Sequence, residues 1–215
     1  MMLVENRMKR DPITISPETG ILEASRLLRQ HKIRHLPVVR GGRLVGILTD
    51  RDLKRVSPSP ATSLSVYEVN YLLDKLEAKE VMIKQVVTVT PRTTIEDAAR
   101  LLLTHKIGSL PVVDGEVLVG IITETDVLEA LVEAMGIRGS CSRVEIVVED
   151  TPAALYAIGD IVRERAGDIA SIMTARATYR GEERKVLIVR IETDDPEETV
   201  KAIEKAGYPV LSAAV

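Results

Sequence analysis

The chain has 215 residues, of which 45% are hydrophobic and 28% are charged, and its formal net charge is −3. These values are typical of a globular protein with one or two cores, and the acidic balance gives no electrostatic reason to bind DNA or an anionic membrane. Five Tyr with no Trp and no Phe leave few rings on which bases could stack, so nucleic-acid binding is not expected.

Cysteine usage and hydropathy add two further exclusions. Cys141 is the single cysteine, so neither an intrachain disulfide nor a thiolate zinc site is expected. The first residues form no apolar signal core, and no run approaches the ~18–20 apolar residues of a membrane span. The sequence therefore predicts a soluble, cytoplasmic protein with no membrane contact.

The organising feature is an internal repeat. Residues 8–52 align with residues 82–126 without a gap, and 23 of the 45 aligned positions are identical. Such a repeat represents two copies of one supersecondary unit, and two copies are too few for a solenoid. We expect the copies to pack face to face about a pseudo-two-fold axis.

Each copy is predicted to run strand–helix–strand–strand–helix. Apolar residues at helical spacing indicate the first helix, and two apolar runs around a tight turn indicate a β-hairpin. In the first copy this places strands at 13–15, 36–39 and 44–48, a turn at Gly41-Gly42, and helices at 21–28 and from Thr49 onward.

The second copy repeats this order from residue 87, with its turn at Asp114-Gly115 and its last helix from about Thr123. There Thr93 and Glu96 have the spacing of a helix capping box. Between the copies, residues 57–63 are rich in Ser and Pro and predict a linker, followed by a helix over 65–79.

The remainder of the chain has a different order of predicted elements. The helix of the second copy continues to about Met135, and glycines over residues 136–139 indicate the domain boundary. The order that follows is β-α-β-β-α-β, a ferredoxin-like arrangement, with strands at 143–148, 169–178, 185–191 and 209–215, a helix that starts at Pro152 and ends before Gly167, and a helix at 196–206.

The repeat resembles a tandem pair of CBS domains, which is called a Bateman module. The resemblance rests on the motifs His-Lys-Ile, Leu-Pro-Val-Val and Gly-Ile-x-Thr-x-x-Asp. The C-terminal segment, entered through residues 149–155, resembles an ACT domain. The combination, with its Ser/Pro linker, is most similar to acetoin-utilisation proteins of the AcuB type. The expected fold is a mixture of α+β and α/β, with CBS domains at 1–56 and 81–136, a linker and helix at 57–80, and an ACT-like domain at 142–215.

Thr49 and Asp52, and their copies Thr123 and Asp126, stand where a helix is predicted to begin. Thr-x-x-Asp there can simply cap the helix, or the helix end can bind phosphate while the carboxylate accepts hydrogen bonds from a ribose diol. The resemblance implies the second role, because CBS pairs bind adenosine compounds between their repeats. The adenine slots would then be lined, unless these residues are only core, by Ile13, Thr14, Ile33, Leu36 and Pro37, and by Val87, Thr88, Ile107, Leu110 and Pro111.

The two copies differ in their basic residues. Arg34, His35 and Arg51 in the first copy correspond to Gly108, Ser109 and Thr125 in the second. Because Arg is suited to gripping phosphate, phosphates are expected where the first copy's basic residues point. These residues could instead form a solvated basic rim, and the sequence does not decide which cleft they serve.

No constellation for catalysis or metal binding is apparent. His31 and His105 occupy equivalent positions and lack nearby partner ligands, so we interpret them as structural. There is no Gly-rich phosphate loop and no nucleophile with a credible base. In the ACT-like segment Ala153 stands where amino-acid-binding members usually have Gly, which favours a dimerising or coupling role, with Asp150 and Thr151 as weak ligand candidates.

The sequence thus predicts a regulatory, non-catalytic protein, a homodimer, that needs no cofactor and binds AMP, ADP or ATP between its repeats. Two alternatives stay open: a structural adaptor dimer with degenerate pockets, and a sensor of an S-adenosyl-type ligand. A link to acetoin utilisation comes only from the resemblance, and the sequence indicates no particular downstream protein target.

Overall fold

The computed structural model describes residues 2–56, 65, 68, 71, 73, 75–137, 141–149, 151–165 and 168–214. The chain divides into two compact units, Met1–Leu128 and Glu129–Val215. The predicted linker at 57–63 lies outside the described residues, and Gly136, where the predicted boundary loop starts, lies inside the second unit.

The first unit contains both copies of the repeat. A short 3-10 helix at Val4–Asn6 precedes the regular elements, which are β1 Lys9–Arg10, α1 Ile21–His31, β2 His35–Arg40, β3 Arg43–Thr49, α2 Asp50–Val56, α3 Ala78–Val81, α4 Ile95–His105, β4 Ser109–Asp114, β5 Val117–Thr123 and α5 Glu124–Ala134. Helix α5 crosses the division between the units.

The two predicted hairpins are present and share one sheet. The sheet runs β1-β5-β3-β2, with β4 also paired to β5, and its strand pairs are antiparallel. Both hairpins carry a bulge at the same place, between Val38 and Val39 and between Val112 and Val113. The first turn is Gly41-Gly42, at φ +59° and +80°, where the missing Cβ removes the steric penalty of the left-handed region.

The strands predicted at 13–15 and 87–89 are each reduced to a single parallel bridge, Ile15 to Val38 and Val89 to Val112. The amide of Ile15 donates to the carbonyl of Pro37, and Val39 donates back to Ile15. Extending this ladder toward Ile13 would require an N–H at residue 37, which proline lacks. Pro111 imposes the same limit on the second copy, so the prediction of full strands was wrong.

Three local predictions need correction by a few residues. The second turn is Gly115-Glu116, because Asp114 still belongs to β4. The cap of α4 is Thr94, whose hydroxyl accepts a hydrogen bond from the Asp97 amide, so the Thr93–Glu96 capping box was wrong. The helix predicted over 65–79 does not reach its predicted end: Leu73 is still helical, residues 75–77 are not, and α3 is a separate turn of helix.

The segment before each copy packs on the other copy. Residues 75–82 lie on the first copy, since Ile21 donates to the carbonyl of Leu76 and Ala78 donates to that of Thr19. The first residues of the chain lie on the second copy: Val4 donates to the carbonyl of Thr93, and β1 pairs with β5. The core of the first copy accordingly includes Leu73, Ala78 and Val81. This exchange ties the two copies together.

The second unit has the predicted order of six elements, β6 Ser142–Val148, α6 Pro152–Arg165, β7 Ile169–Tyr179, β8 Glu182–Ile191, α7 Glu197–Lys205 and β9 Val210–Ala214. Its antiparallel sheet runs β7-β8-β6-β9. Alternate apolar residues of β6 and β8 pack against buried residues of the helices, among them Ile158 and Ile203. Pro152 is the first residue of α6, where its missing N–H costs no hydrogen bond.

Candidate functional site: two clefts between the repeats

Each Thr-x-x-Asp pair forms a reciprocal helix cap. In the first copy, Oδ2 of Asp52 accepts hydrogen bonds from the amide and the hydroxyl of Thr49, at 3.1 and 2.6 Å, and the Asp52 amide donates to the Thr49 hydroxyl at 3.2 Å. The same three bonds in the second copy, between Thr123 and Asp126, measure 2.7, 2.7 and 3.4 Å. The capping alternative is therefore confirmed, and it uses only one carboxylate oxygen of each Asp.

The second oxygen, Oδ1, differs between the copies. Oδ1 of Asp52 lies 3.5 Å from Nη2 of Arg55, and Asp52 is only 6% exposed. Asp126 is half-buried, and within the described part of the chain no basic side chain pairs with it. The position that corresponds to Arg55 in the second copy is Glu129, which cannot form this ion pair. Asp126 thus keeps the more available acceptor.

Each pair lies in a cleft built from both copies. The cleft that contains Thr49 and Asp52, here called the Asp52 cleft, has a volume of about 260 Å³. Its other lining residues are Arg34, His35, Ile47, Asp50, Arg51, Ile83, Gln85, Val86, Val87, Lys106, Ile107, Gly108, Ser109 and Glu124.

The cleft that contains Thr123 and Asp126, here called the Asp126 cleft, has a volume of about 240 Å³. Its other lining residues are Lys9, Pro12, Ile13, Lys32, Ile33, Arg34, His35, Ile121 and Thr125. Most of these occupy positions equivalent to those of the Asp52 cleft in the repeat. Both volumes are near the lower end for small-molecule pockets, ~300 Å³, and suit a compact ligand.

Comparison with known families identifies the repeat. The model of the CBS domain matches the chain twice, over residues 4–59 and 78–133. The chain belongs to the CBS domain family. Its two copies are a tandem pair of CBS domains, and the two clefts lie between them.

Relatives match mainly the CBS pair. The protein MJ1426 of Methanocaldococcus jannaschii is 34% identical over 156 residues, which cover 61% of this chain and 92% of the relative. An inosine-5'-monophosphate dehydrogenase of Korarchaeum cryptofilum is 39% identical over 127 residues, or 57% of this chain, but only 23% of the enzyme is covered. The similarity to this enzyme is thus restricted to a minor part of its length.

The similar solved structures also cover about 61% of this chain. A structure described as an acetoin utilization protein (AcuB) from Vibrio cholerae is 34% identical with a TM-score of 0.52, covering 61% of this chain and 91% of that chain. CBSX2, from Arabidopsis thaliana, in complex with AMP is 31% identical with a TM-score of 0.52, covering 61% and 97%. The CBS domain pair of MJ0100, in complex with 5'-methylthioadenosine and S-adenosyl-L-methionine, is 28% identical with a TM-score of 0.50, covering 61% and 96%.

The clefts combine the candidate residues across the two CBS domains. Thr49 and Asp52 share a cleft with Val87 and Ile107 of the second domain. Thr123 and Asp126 share theirs with Ile13 and Ile33 of the first domain. Arg34 and His35 line both clefts, and Arg51 lines the Asp52 cleft. Each cleft is therefore lined by residues of both domains.

The remaining candidates lie outside the two clefts. Leu36 and Leu110 have no exposed surface, because their side chains belong to the core, and Pro37 and Pro111 are buried beside them in β2 and β4. Thr14 and Thr88 are half-buried and line neither cleft. The predicted segments border the clefts, but side chains alternate along an extended chain, so only some of their residues line a cleft.

Several lining residues were missed. Lys32 and Lys106 follow the repeated His and end α1 and α4 in the left-handed conformation, and their identity in both copies was a usable signal. Lys9 could not have been found, because its place in the Asp126 cleft depends on the exchanged N-terminal segment. Two acidic residues of the Asp52 cleft were also missed. They are Asp50 and Glu124, which directly follow Thr49 and Thr123 in the sequence.

His35 lies against the second CBS domain, beside Gly108. A Cβ built on Gly108 would lie 3.1 Å from Nε2 and Cε1 of His35, so a side chain at position 108 would displace the imidazole. This close approach explains why the counterpart of Arg34 is a glycine. Burial, assisted by the nearby Arg34 and against the effect of Asp50, lowers the pKa of His35.

Ser109 places an unusual polar group in the Asp52 cleft. The residue is 4% exposed, and within the described part of the chain its hydroxyl has no hydrogen-bond partner. A buried hydroxyl without a partner is unfavourable. Because the oxygen itself has almost no accessible surface, the unpaired hydroxyl belongs to the packing beside the cleft.

The remaining features concern metal binding, membrane spans and the second unit. The described residues include no group of three or more His, Cys, Asp or Glu that could hold a metal ion. No helix in the part of the chain that the structure describes is long and apolar enough to cross a membrane. In the second unit, Thr151 and Ala153 line a cavity of about 530 Å³, whereas Asp150 lies outside the described residues.

Proposed function

We propose that this CBS pair is a regulatory, non-catalytic module that binds an adenosine nucleotide such as AMP, ADP or ATP between its two domains. The observation that carries the proposal is the half-occupied carboxylate of Asp126. Its Oδ2 caps helix α5, and its Oδ1 has no basic partner among the described residues that line the cleft of about 240 Å³.

A ribose diol supplies two O–H donors, which an aspartate oxygen at this position can accept. The adenine ring would pack against Ile13 and Ile33 in the Asp126 cleft, and against Val87 and Ile107 in the Asp52 cleft. The AMP complex of CBSX2 and the nucleoside complex of MJ0100 support adenosine-type ligands for this chain.

The geometry suits regulation because each cleft is shared between domains. A ligand that bonds to Asp126 on one side and packs against Ile33 on the other contacts both CBS domains at once. It can shift their relative arrangement only by binding one arrangement more tightly than another.

For the second unit we propose an ACT domain that dimerises the protein or passes on the signal. Its β-α-β-β-α-β order and its β7-β8-β6-β9 sheet support the assignment. Ala153, in place of glycine, leaves less room for backbone to approach an amino acid. The similarity to the AcuB structure supports a link to acetoin utilisation.

A thermal-shift titration of the full chain with AMP, ATP and S-adenosylmethionine tests the proposal. A ligand at one hundred times its dissociation constant stabilises the protein by ~2.7 kcal/mol, so AMP or ATP should raise the melting temperature in a saturable way. A flat response to all three would contradict nucleotide binding and favour a structural adaptor with degenerate pockets.

A further inference from the structure

Arg34 and His35 are the only two residues, among those that the structure describes, that line both clefts. His35 is the first residue of β2, and Arg34 directly precedes it. Every other described lining residue belongs to one cleft alone. The two clefts therefore meet at Arg34 and His35.

The repeat does not provide a second pair of this kind. The counterparts of Arg34 and His35 in the second copy are Gly108 and Ser109, neither of which carries a charge. A Cβ on Gly108 would lie 3.1 Å from the imidazole of His35, so a second arginine at position 108 would collide with that ring. A fully symmetric pair would have one such arginine for each cleft, whereas this chain has one for both.

The guanidinium of Arg34 is free to bind a ligand. Within the described part of the chain no carboxylate pairs with it, although acidic residues line the same cleft. Asp50 pairs instead with Lys54, at 3.2 Å. Asp52 pairs with Arg55, at 3.5 Å.

The charge of Arg34 lies at the place where the clefts meet. Burial is the main cause that lowers the pKa of His35, and the positive charge of Arg34 adds to it, against the effect of Asp50 and Glu124. The guanidinium is therefore close to the imidazole that borders both clefts. His35 is neutral near pH 7 as a result, so it adds no second positive charge there.

One guanidinium cannot serve two phosphate groups equally. A phosphate monoester carries about −1.5 to −2 charges at pH 7, which is more than a single arginine neutralises. The first anionic ligand to bind, in either cleft, gains a charge-assisted hydrogen bond from Arg34. A second anionic ligand then meets an arginine that is already paired, beside the negative charge of the first.

We infer that Arg34 couples the two clefts negatively, so that an anionic ligand bound in one cleft lowers the affinity of the other cleft for a second. The coupling is reciprocal, as every coupling between two binding sites is. This inference rests on the proposed function and deepens it, because it states how occupancy of one cleft regulates the other.

Two variants that each fill one cleft measure the coupling. Ile13 lines the Asp126 cleft, and Val87 lines the Asp52 cleft at the same position of the repeat. Calorimetry on full-length Ile13→Trp and Val87→Trp chains gives the AMP affinity of each cleft with its neighbour filled by protein instead of ligand. In the unaltered chain AMP should bind twice, and the product of the two stepwise dissociation constants should exceed the product of the two single-cleft constants by about fivefold or more. Adenosine, which lacks phosphate, should give equal products.

Arg34→Gln tests the source of the coupling. It should weaken AMP about fivefold in both filled-cleft chains. In a chain with both clefts open it should weaken the first AMP about fivefold and the second by less than about twofold, because the second ligand does not find Arg34 free. Arg29→Gln is the matched control, since Arg29 lies on α1 and lines neither cleft, and it should leave AMP binding unchanged.

Equal products for AMP would show that the clefts are independent, and AMP binding in only one of the filled-cleft chains would show that only one cleft works. Either result would overturn the coupling while nucleotide binding itself stood. The same excess with adenosine, or equal losses of the two AMP steps in Arg34→Gln, would overturn the role of Arg34, and this last comparison needs no filled cleft. If neither AMP nor adenosine binds the unaltered chain, the proposed function fails, and this inference fails with it.

Discussion

At the scale of single residues, helix capping and the proposed ligand binding by the Thr-x-x-Asp pairs are compatible. Each Asp uses Oδ2 to cap its own helix. Oδ1 of Asp52 pairs with Arg55, whereas Oδ1 of Asp126 has no basic partner among the described residues and remains for the proposed ligand. Capping and ligand binding were alternatives in the sequence because a pattern of residue types does not distinguish the two oxygens of one carboxylate. The geometry makes the distinction, and it also predicts how substitutions should behave.

Asp126→Asn should separate binding from stability. The amide oxygen of Asn can still accept the cap hydrogen bonds, so the free energy of unfolding should fall by less than about 1 kcal/mol. The amide NH2 cannot accept a bond from a ribose hydroxyl, and the charge is lost, so AMP affinity should fall about 10-fold or more in calorimetry.

Asp97 offers the control for this substitution. It caps α4 through Thr94 with two of the same three hydrogen bonds, both at 3.1 Å, its Oδ1 pairs with Arg100, and it lines neither cleft. Asp97→Asn should leave AMP affinity unchanged. Equal losses in the two variants would mean that the effect of Asp126 is structural.

His35 should make stability depend on pH. Its pKa in the folded protein is lowered, chiefly by burial, from the ordinary value of 6.5. Below that value the unfolded chain binds a proton that the folded chain does not, so stability falls as the pH decreases from about 6.5 toward the lowered pKa. Urea unfolding at about pH 7.5 and about pH 5.5 should show a smaller loss for His35→Gln than for the unaltered chain. An identical pH dependence in both would contradict a buried, neutral imidazole.

At the scale of elements, much of the repeat was predictable. The hairpins and the helices after them follow from apolar spacing and turn glycines, and all are present. The strands at 13–15 and 87–89 were overpredicted, since β propensity does not reveal that Pro37 and Pro111 cannot donate to a neighbouring ladder. The cap of α4 was misplaced by one residue, because Thr93 and Thr94 are both good cap residues and only the backbone separates them.

The exchanged segments could not be predicted, because no local pattern encodes which copy a segment packs on. Their signature in the structure is a close approach at a glycine of β5. A Cβ built on Gly120 would lie 2.7 Å from Sδ of Met8 and 3.1 Å from the carbonyl oxygen of Lys9. The equivalent Gly46 of β3 faces Met82 in the same way.

Gly120→Ala should therefore loosen β1 from β5. We expect a loss of about 1–3 kcal/mol in the free energy of unfolding, as for other overpacked sites, measured by urea denaturation followed by circular dichroism. Gly159→Ala in α6 is the control: no atom lies within 4 Å of its new Cβ, and helix propensity should add ~0.5–1 kcal/mol. A Gly120→Ala chain as stable as the original would contradict this packing.

At the scale of the molecule, the exchanged segments connect the two CBS domains. Three residues at the start of the chain are buried against the second copy, whose numbering is offset by seventy-four from the first. They are Leu3, Val4 and Met8, which are 7%, 0% and 8% exposed. Removing residues 2–8 from the full chain should therefore cost about 4 kcal/mol or more of stability. Unchanged urea unfolding in the shortened chain would contradict the exchange.

The two repeated domains and the C-terminal segment were predictable from the sequence, and so were the residues that repeat. It did not predict how the clefts combine them, because the pairing of Asp126 with Ile33, and of Asp52 with Ile107, arises only when the copies face each other.

The most direct test of the account is a crystal structure of the full chain grown with AMP. We predict AMP in the Asp126 cleft, with its ribose hydroxyl oxygens about 3 Å from Oδ1 of Asp126 and its phosphate near Lys32 and Arg34. AMP bound away from both clefts, or with its ribose out of hydrogen-bonding reach of either aspartate, would contradict it.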